Sequence, residues 1–131
     1  MSDDIERLLR GAKRIAVVGC STDPAKDAHR VPKYLQGTGY TVIPVHPSAE
    51  RILGEKAYRS LADVPGPIDL VDVFRPSAET PAVVKAAIEA GAKAVWLQLG
   101  IASPEARRLA ALAGLDYIEN RCIAIEHRKL R

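Results

Sequence analysis

Cysteine is scarce in this chain: only Cys20 and Cys122 among 131 residues. These two thiols and three dispersed histidines, His29, His46 and His127, show no metal-ligand spacing. Charge of one sign is also lacking. Lys and Arg number 19 against 16 Asp and Glu, a net charge of +3. That excess is too small and too scattered for a nucleic-acid surface, although it suits an anionic small molecule. No apolar run approaches the ~20 residues of a membrane span. The opening MSDDIERLLR is acidic and amphipathic, so no secretory signal is expected. The expectation is a cytoplasmic protein with reduced thiols, no membrane and no nucleic acid among its partners. Its protein partners stay undefined. With 47% hydrophobic and 27% charged residues, 1–131 suits one domain with its own core.

What the chain does have is alternation. DDIERLLRG puts Ile5, Leu8 and Leu9 on one face, which predicts a short helix stopped at Gly11. RIAVVG (14–19) is a continuous apolar run, the mark of a strand buried on both faces of a parallel sheet. VPKYLQGTG carries Val31 and Leu35 at helical spacing. Pro32, tolerated only near a first turn, predicts a helix start close to His29. Further strands are predicted at 40–47 (YTVIPVHP), 68–74 (IDLVDVF), 93–100 (KAVWLQLG) and 115–118 (LDYI), with a short extra one at Ala57 and Tyr58. SAETPAVVKAAIEAGA reads as a helix capped by Ser77 or Thr80 and followed by Gly91. SPEARRLAALAG reads as a helix with Ser103 as cap, Pro104 in its first position and Gly114 as stop. CIAIEHRKL supplies a last helix. Strands alternating with helices imply an α/β, Rossmann-like, open and mainly parallel sheet of about five strands with helices on both faces. Its ligand is expected beyond the C-terminal ends of the strands. There is no repeat, linker or low-complexity tract.

The first strand runs into VVGCSTDPAK, and two phosphate motifs fail there. Walker A requires G-x-x-x-x-G-K-[ST], but Pro24 stands where its second glycine belongs. The dinucleotide fingerprint requires G-x-G-x-x-G, but Ser21 replaces its second glycine. The acid that holds the adenosine ribose, ~20 residues further on, is also missing: the second strand ends in Val45-His46-Pro47. NAD is disfavoured on both counts. Phosphate binding in another form stays open. Gly19 permits close backbone approach, the following helix offers free N–H groups, Ser21 has a hydroxyl and Lys26 a full charge. A plain strand-to-helix turn with a solvated lysine fits the same residues.

VVGCSTDPAK, GYTVIPVHP, VDVFRP, AVWLQLGI and ENRCIAIE occur in this order between residues 14 and 126. The ordered set resembles the small CoA-binding domain proteins, free-standing relatives of the CoA-binding domain in the succinyl-CoA synthetase α subunit. The resemblance implies coenzyme A or an acyl-CoA as ligand. It places the diphosphate on the Gly19-Cys20-Ser21 turn, with Lys26 reaching a phosphate. The 3′-phosphate of CoA also removes the need for a ribose-binding acid. Val45, His46 and Pro47 would flank the adenine or its ribose, where many relatives carry asparagine in place of His46. Phe74 would cover adenine or pantetheine, Arg75 would meet a phosphate, and Gln98 would bond a pantetheine amide or an acyl carbonyl.

Each of these residues has a plainer reading too. His46 fits a loop histidine, Phe74 core packing, and Arg75 an ion pair with an acidic neighbour. Trp96 reads as core. Cys20 reads either as an inert small residue or as a thiol acidified by a helix N-terminus and shielded by the ligand. No catalytic set emerges. Ser21, a histidine and an aspartate share no G-x-S-x-G motif. The synthetases use a phosphorylated histidine from another domain and a nucleotide-binding subunit. The resemblance thus implies CoA binding without evident catalysis. Two alternatives are a CoA-thioester enzyme or CoA-supplying subunit of a ligase, and another nucleotide or NAD binder.

Overall fold

The computed structural model describes residues 2–130. Its first half contains α1 (Ser2–Gly11), β1 (Arg14–Val18), α2 (Asp27–Gly37), β2 (Thr41–Val45), β3 (Arg51–Ile52) and β4 (Glu55–Lys56). Its second half contains β5 (Leu70–Val73), α3 (Thr80–Glu89), β6 (Ala94–Leu97), α4 (Pro104–Leu112), β7 (Asp116–Ile118) and α5 (Ile123–Arg128). Five strands form one parallel sheet in the order β2-β1-β5-β6-β7. The continuous apolar runs are explained by helices on both faces. Ile15, Val17, Leu70 and Trp96 pack in one core with residues of α1, α2 and α5. Ala16, Val71, Val95 and Leu97 pack in a second core with residues of α3 and α4. Each fully buried large aliphatic side chain contributes roughly 1.5–3 kcal/mol. Trp96, wholly buried, satisfies its indole N–H by donating to the Arg121 carbonyl oxygen at 2.8 Å.

The chain runs from β1 outward to β2, then returns past β1 to β5. The order reverses there, so the ends of β1 and β5 flank a crevice of the kind where open α/β sheets take their ligands. Pro44 lacks an amide proton and is tolerated because β2 lies at the sheet edge. Among the described residues, no helix is long and apolar enough to cross a membrane.

Three local expectations need correction. First, α2 starts at Asp27, two residues ahead of His29, and Pro32 lies inside the helix rather than near its first turn. The missing Pro32 N–H frees the Ala28 carbonyl, which accepts from the Ser21 N–H at 3.0 Å instead. Second, neither Ser77 nor Thr80 caps α3. The Thr80 hydroxyl donates to the Ser77 carbonyl at 2.7 Å, and Ser77 Oγ accepts from the Ala102 N–H at 3.1 Å. Third, the predicted extra strand is a single bridge from Tyr58 to Val45, and an antiparallel β3–β4 hairpin precedes it. The Ser103 cap holds as predicted, its Oγ accepting from the Ala106 N–H at 3.1 Å.

Candidate functional site

The turn after β1 is built by close backbone approach. Gly19 has φ +85°, and a Cβ placed on it would sit 2.6 Å from the Phe74 carbonyl oxygen and 3.0 Å from Arg75 Cδ. Glycine is therefore required by the neighbouring end of β5 as well as by the backbone angle. The Gly19 N–H donates to the Val45 carbonyl at 3.2 Å, which ties the ends of β1 and β2 together.

Beyond Gly19 the loop largely satisfies itself. Ser21 Oγ accepts from the Asp23 N–H at 3.0 Å, and Asp23 Oδ1 accepts from the Ala25 N–H at 2.9 Å. Among the described residues the N–H groups of Cys20 and Thr22 have no partner. Lys26 is the N-cap of α2, and no side chain caps that helix. In its first turn His29 donates to the Lys26 carbonyl at 3.0 Å, while the Asp27 and Ala28 N–H groups stay open to an anion beside the exposed Lys26.

Cys20 departs from the acidified-thiol reading. Its side chain is 1% exposed and faces the core under α2 and α5. Burial, with the nearby Asp72 carboxyl, pushes the thiol up to about 12. His46 sits half-buried, and its Nδ1 accepts from the N–H groups of Ser48 at 3.1 Å and Ala49 at 2.9 Å. A short side-chain acceptor such as asparagine would hold this turn equally well. Val45 is buried and Pro47 exposed.

Phe74 and Arg75 directly follow β5, and Gln98 directly follows β6. The Arg75 guanidinium makes a two-point ion pair with Glu79, Nε to Oε1 and Nη2 to Oε2, both at 2.9 Å. Gln98 is 5% exposed, and its Oε1 accepts from the Ile123 N–H at 3.1 Å, holding the start of α5. Its amide nitrogen has no partner among the described residues.

Phe74 and Gln98 line a cleft of about 430 Å³ between α2 and α5. Asp27, Arg30 and Tyr34 of α2 form one wall, and Ile125 and Arg128 of α5 form the other. Leu99 and Ile125 are apolar yet 66% and 45% exposed, and both line the cleft with Cys122. Arg128 stacks over the Tyr34 ring at 4.6 Å, and the Tyr34 hydroxyl and His127 Nδ1 share a 2.7 Å hydrogen bond. Those contacts link the two walls. The α5 wall was missed at the sequence level. Its signal was Ile125, an apolar residue on the outer side of a short helix.

Asp72 was missed as well, although an acid inside the apolar run IDLVDVF marks it. It lies mid-sheet between Val17 and Trp96 with no exposure, and neither carboxyl oxygen has a hydrogen-bond partner. Burial pushes its carboxyl well above the ordinary range, favouring the neutral acid over the carboxylate.

The CoA binding domain family matches residues 13–128. The uncharacterized protein YneT of Bacillus subtilis is 40% identical over 124 residues, covering 95% of this chain and 92% of its own. The α subunit of ADP-forming acetate–CoA ligase II from Pyrococcus furiosus is 39% identical over 82 residues, 62% of this chain but 17% of that protein. A solved structure of a hypothetical protein from Pyrococcus horikoshii superposes with a TM-score of 0.96 at 43% identity, covering 99% of this chain and 92% of that one.

Proposed function

The chain belongs to the CoA binding domain family, and from that premise we propose that it binds coenzyme A or an acyl-CoA at the C-terminal ends of β1, β5 and β6. The observation that carries this reading is that Phe74, whose carbonyl packs against Gly19 of the anion-compatible turn, also lines the partly apolar cleft. The diphosphate lies on the Gly19–Ser21 turn against the uncapped start of α2, with Lys26 as counter-charge. The adenosine lies toward Val45, His46 and Pro47. The pantetheine arm passes Phe74 into the cleft, where the free Gln98 amide nitrogen donates to one of its carbonyls. Leu99 and Ile125, otherwise costly to expose, gain cover from the arm.

Binding without turnover is the reading the cleft supports. Gln98 cannot act as a base, and Asp27 is held by Arg30 at the cleft's edge. Titration calorimetry with CoA, dephospho-CoA and NAD tests the proposal. CoA is expected to bind more tightly than NAD, and dephospho-CoA less tightly than CoA. NAD binding as tight as CoA, or no CoA binding, overturns it. The ligase activity of the Pyrococcus furiosus relative is not carried over, because the match covers 17% of that subunit.

A further inference from the structure

We propose that Glu79 is a latch on the CoA site: it holds Arg75 in the empty protein and surrenders it to the incoming diphosphate. The proposal rests on the reading that CoA binds at the Gly19 turn. Arg75 is the second residue after β5, and its side chain crosses the turn it would serve. The Arg75 Cδ lies 3.0 Å from where a Gly19 Cβ would stand, so the arm passes directly over the turn's backbone. Its guanidinium then ends not at the turn but on Glu79, in two parallel bonds of 2.9 Å. Glu79 stands in the short helical turn Ser77–Glu79 that leads into α3, so it is fixed in place from outside the loop.

Two physical points make this pair exchangeable. The partners are 44% and 49% exposed, and an exposed ion pair is a weak tie. A guanidinium fork also matches a phosphate as well as it matches a carboxylate. Rotating the outer bonds of the arm, with Cδ still over Gly19, brings the fork from Glu79 toward an anion on the turn. Glu79 therefore competes with the ligand for the same guanidinium, two of whose N–H groups it holds. It acts through Arg75 and is a positioning residue, not a contact.

The test is calorimetric measurement of CoA affinity in the wild type, Glu79→Gln, Glu79→Asp, Arg75→Ala and the Arg75→Ala/Glu79→Gln double variant. Half-exposed positions tolerate these changes, and circular dichroism confirms the fold of each. Glu79→Gln is expected to tighten CoA binding roughly two- to fivefold, the factor an exposed ion pair is worth. Glu79→Asp keeps the charge and should stay near the wild type. Arg75→Ala should weaken binding, and in that background Glu79→Gln should gain nothing. In nitrogen NMR spectra the Arg75 Nε–H resonance should move when CoA is added to the wild type. Unchanged affinity in Glu79→Gln overturns the latch while leaving CoA binding intact. A gain that persists without Arg75 also overturns it, because the carboxylate then acts only as a repelling charge. Absence of CoA binding in every variant overturns the functional reading and the latch together.

Discussion

Gly19→Ala should be among the most damaging single-methyl additions in this protein. At φ +85° an alanine sits in left-handed backbone space, at a cost of roughly 1–2 kcal/mol. Its new Cβ would also stand 2.6 Å from the Phe74 carbonyl oxygen and 3.1 Å from the carbonyl carbon. Those atoms are backbone, so no rotamer change relieves the contact. The end of β5 must move, and forced repacking of this kind costs about 1–3 kcal/mol more. At about 2.1 cal/mol/K per residue, the combined loss lowers the melting temperature of a chain this size by roughly 7–18 °C. The assay is thermal unfolding followed by circular dichroism at 222 nm, with Gly37→Ala alongside as control. Gly37 ends α2, and nothing lies within 4 Å of its added Cβ. It should melt within a few degrees of the wild type, or slightly higher, because alanine favours a helix by up to ~1 kcal/mol. A Gly19→Ala protein that melts no lower than Gly37→Ala would refute the claim that β5 sets the identity of residue 19.

Asp72→Asn should change how stability depends on pH. The folded carboxyl titrates well above its ordinary value of 3.8, so the folded state keeps a proton that the unfolded state loses. Stability therefore falls as pH rises from about 4 toward neutrality, and the amide, which has no proton to hold, removes that slope. Denaturant unfolding at pH 4.5 and 7.5 reads the difference; parallel slopes in the two proteins would contradict it. Thiol labelling should separate the cysteines: Cys122, half-buried in the cleft, reacts faster than the buried Cys20, and saturating CoA slows Cys122. Equal rates at both sites, read by peptide mass spectrometry, would contradict the placement of Cys20. Lys26→Ala should weaken CoA binding roughly tenfold, the loss of a charge-assisted bond, without altering the fold. Unchanged affinity in calorimetry would remove Lys26 from the site.

The elements of this protein are legible in its sequence because they obey local rules. Continuous apolar runs such as IAVV and LVDV announce strands covered on both faces, and their alternation with helical segments implies a parallel sheet. Ser103 and Pro104 announce a helix start because capping depends on residues within one turn. Where local rules are broken, the reading slips. Leu53 takes φ +57° in the β3–β4 turn, a conformation a leucine does not advertise, and the hairpin went unseen. Local rules place Pro32 near a first turn, yet it sits inside α2 because Ser21, eleven positions earlier, takes up the carbonyl its ring leaves unpaired.

The candidate site divides along the same line. Gly19, Phe74 and Gln98 are named by motif because they sit where strands end, and Lys26 because it stands before a helix start; both are matters of local pattern. Which way Cys20 faces and whom Arg75 holds were not decided locally. Nor was the cleft wall, which comes from α5, about a hundred residues beyond the turn. Those outcomes depend on which elements pack side by side. A side chain's neighbours across a cleft come from distant parts of the chain, and their contacts exist only once the sheet has set the order of its strands and the helices have closed over both faces. Asp72 shows both limits at once: its acid is plain in the apolar run, but only the packed sheet leaves its two oxygens without a partner.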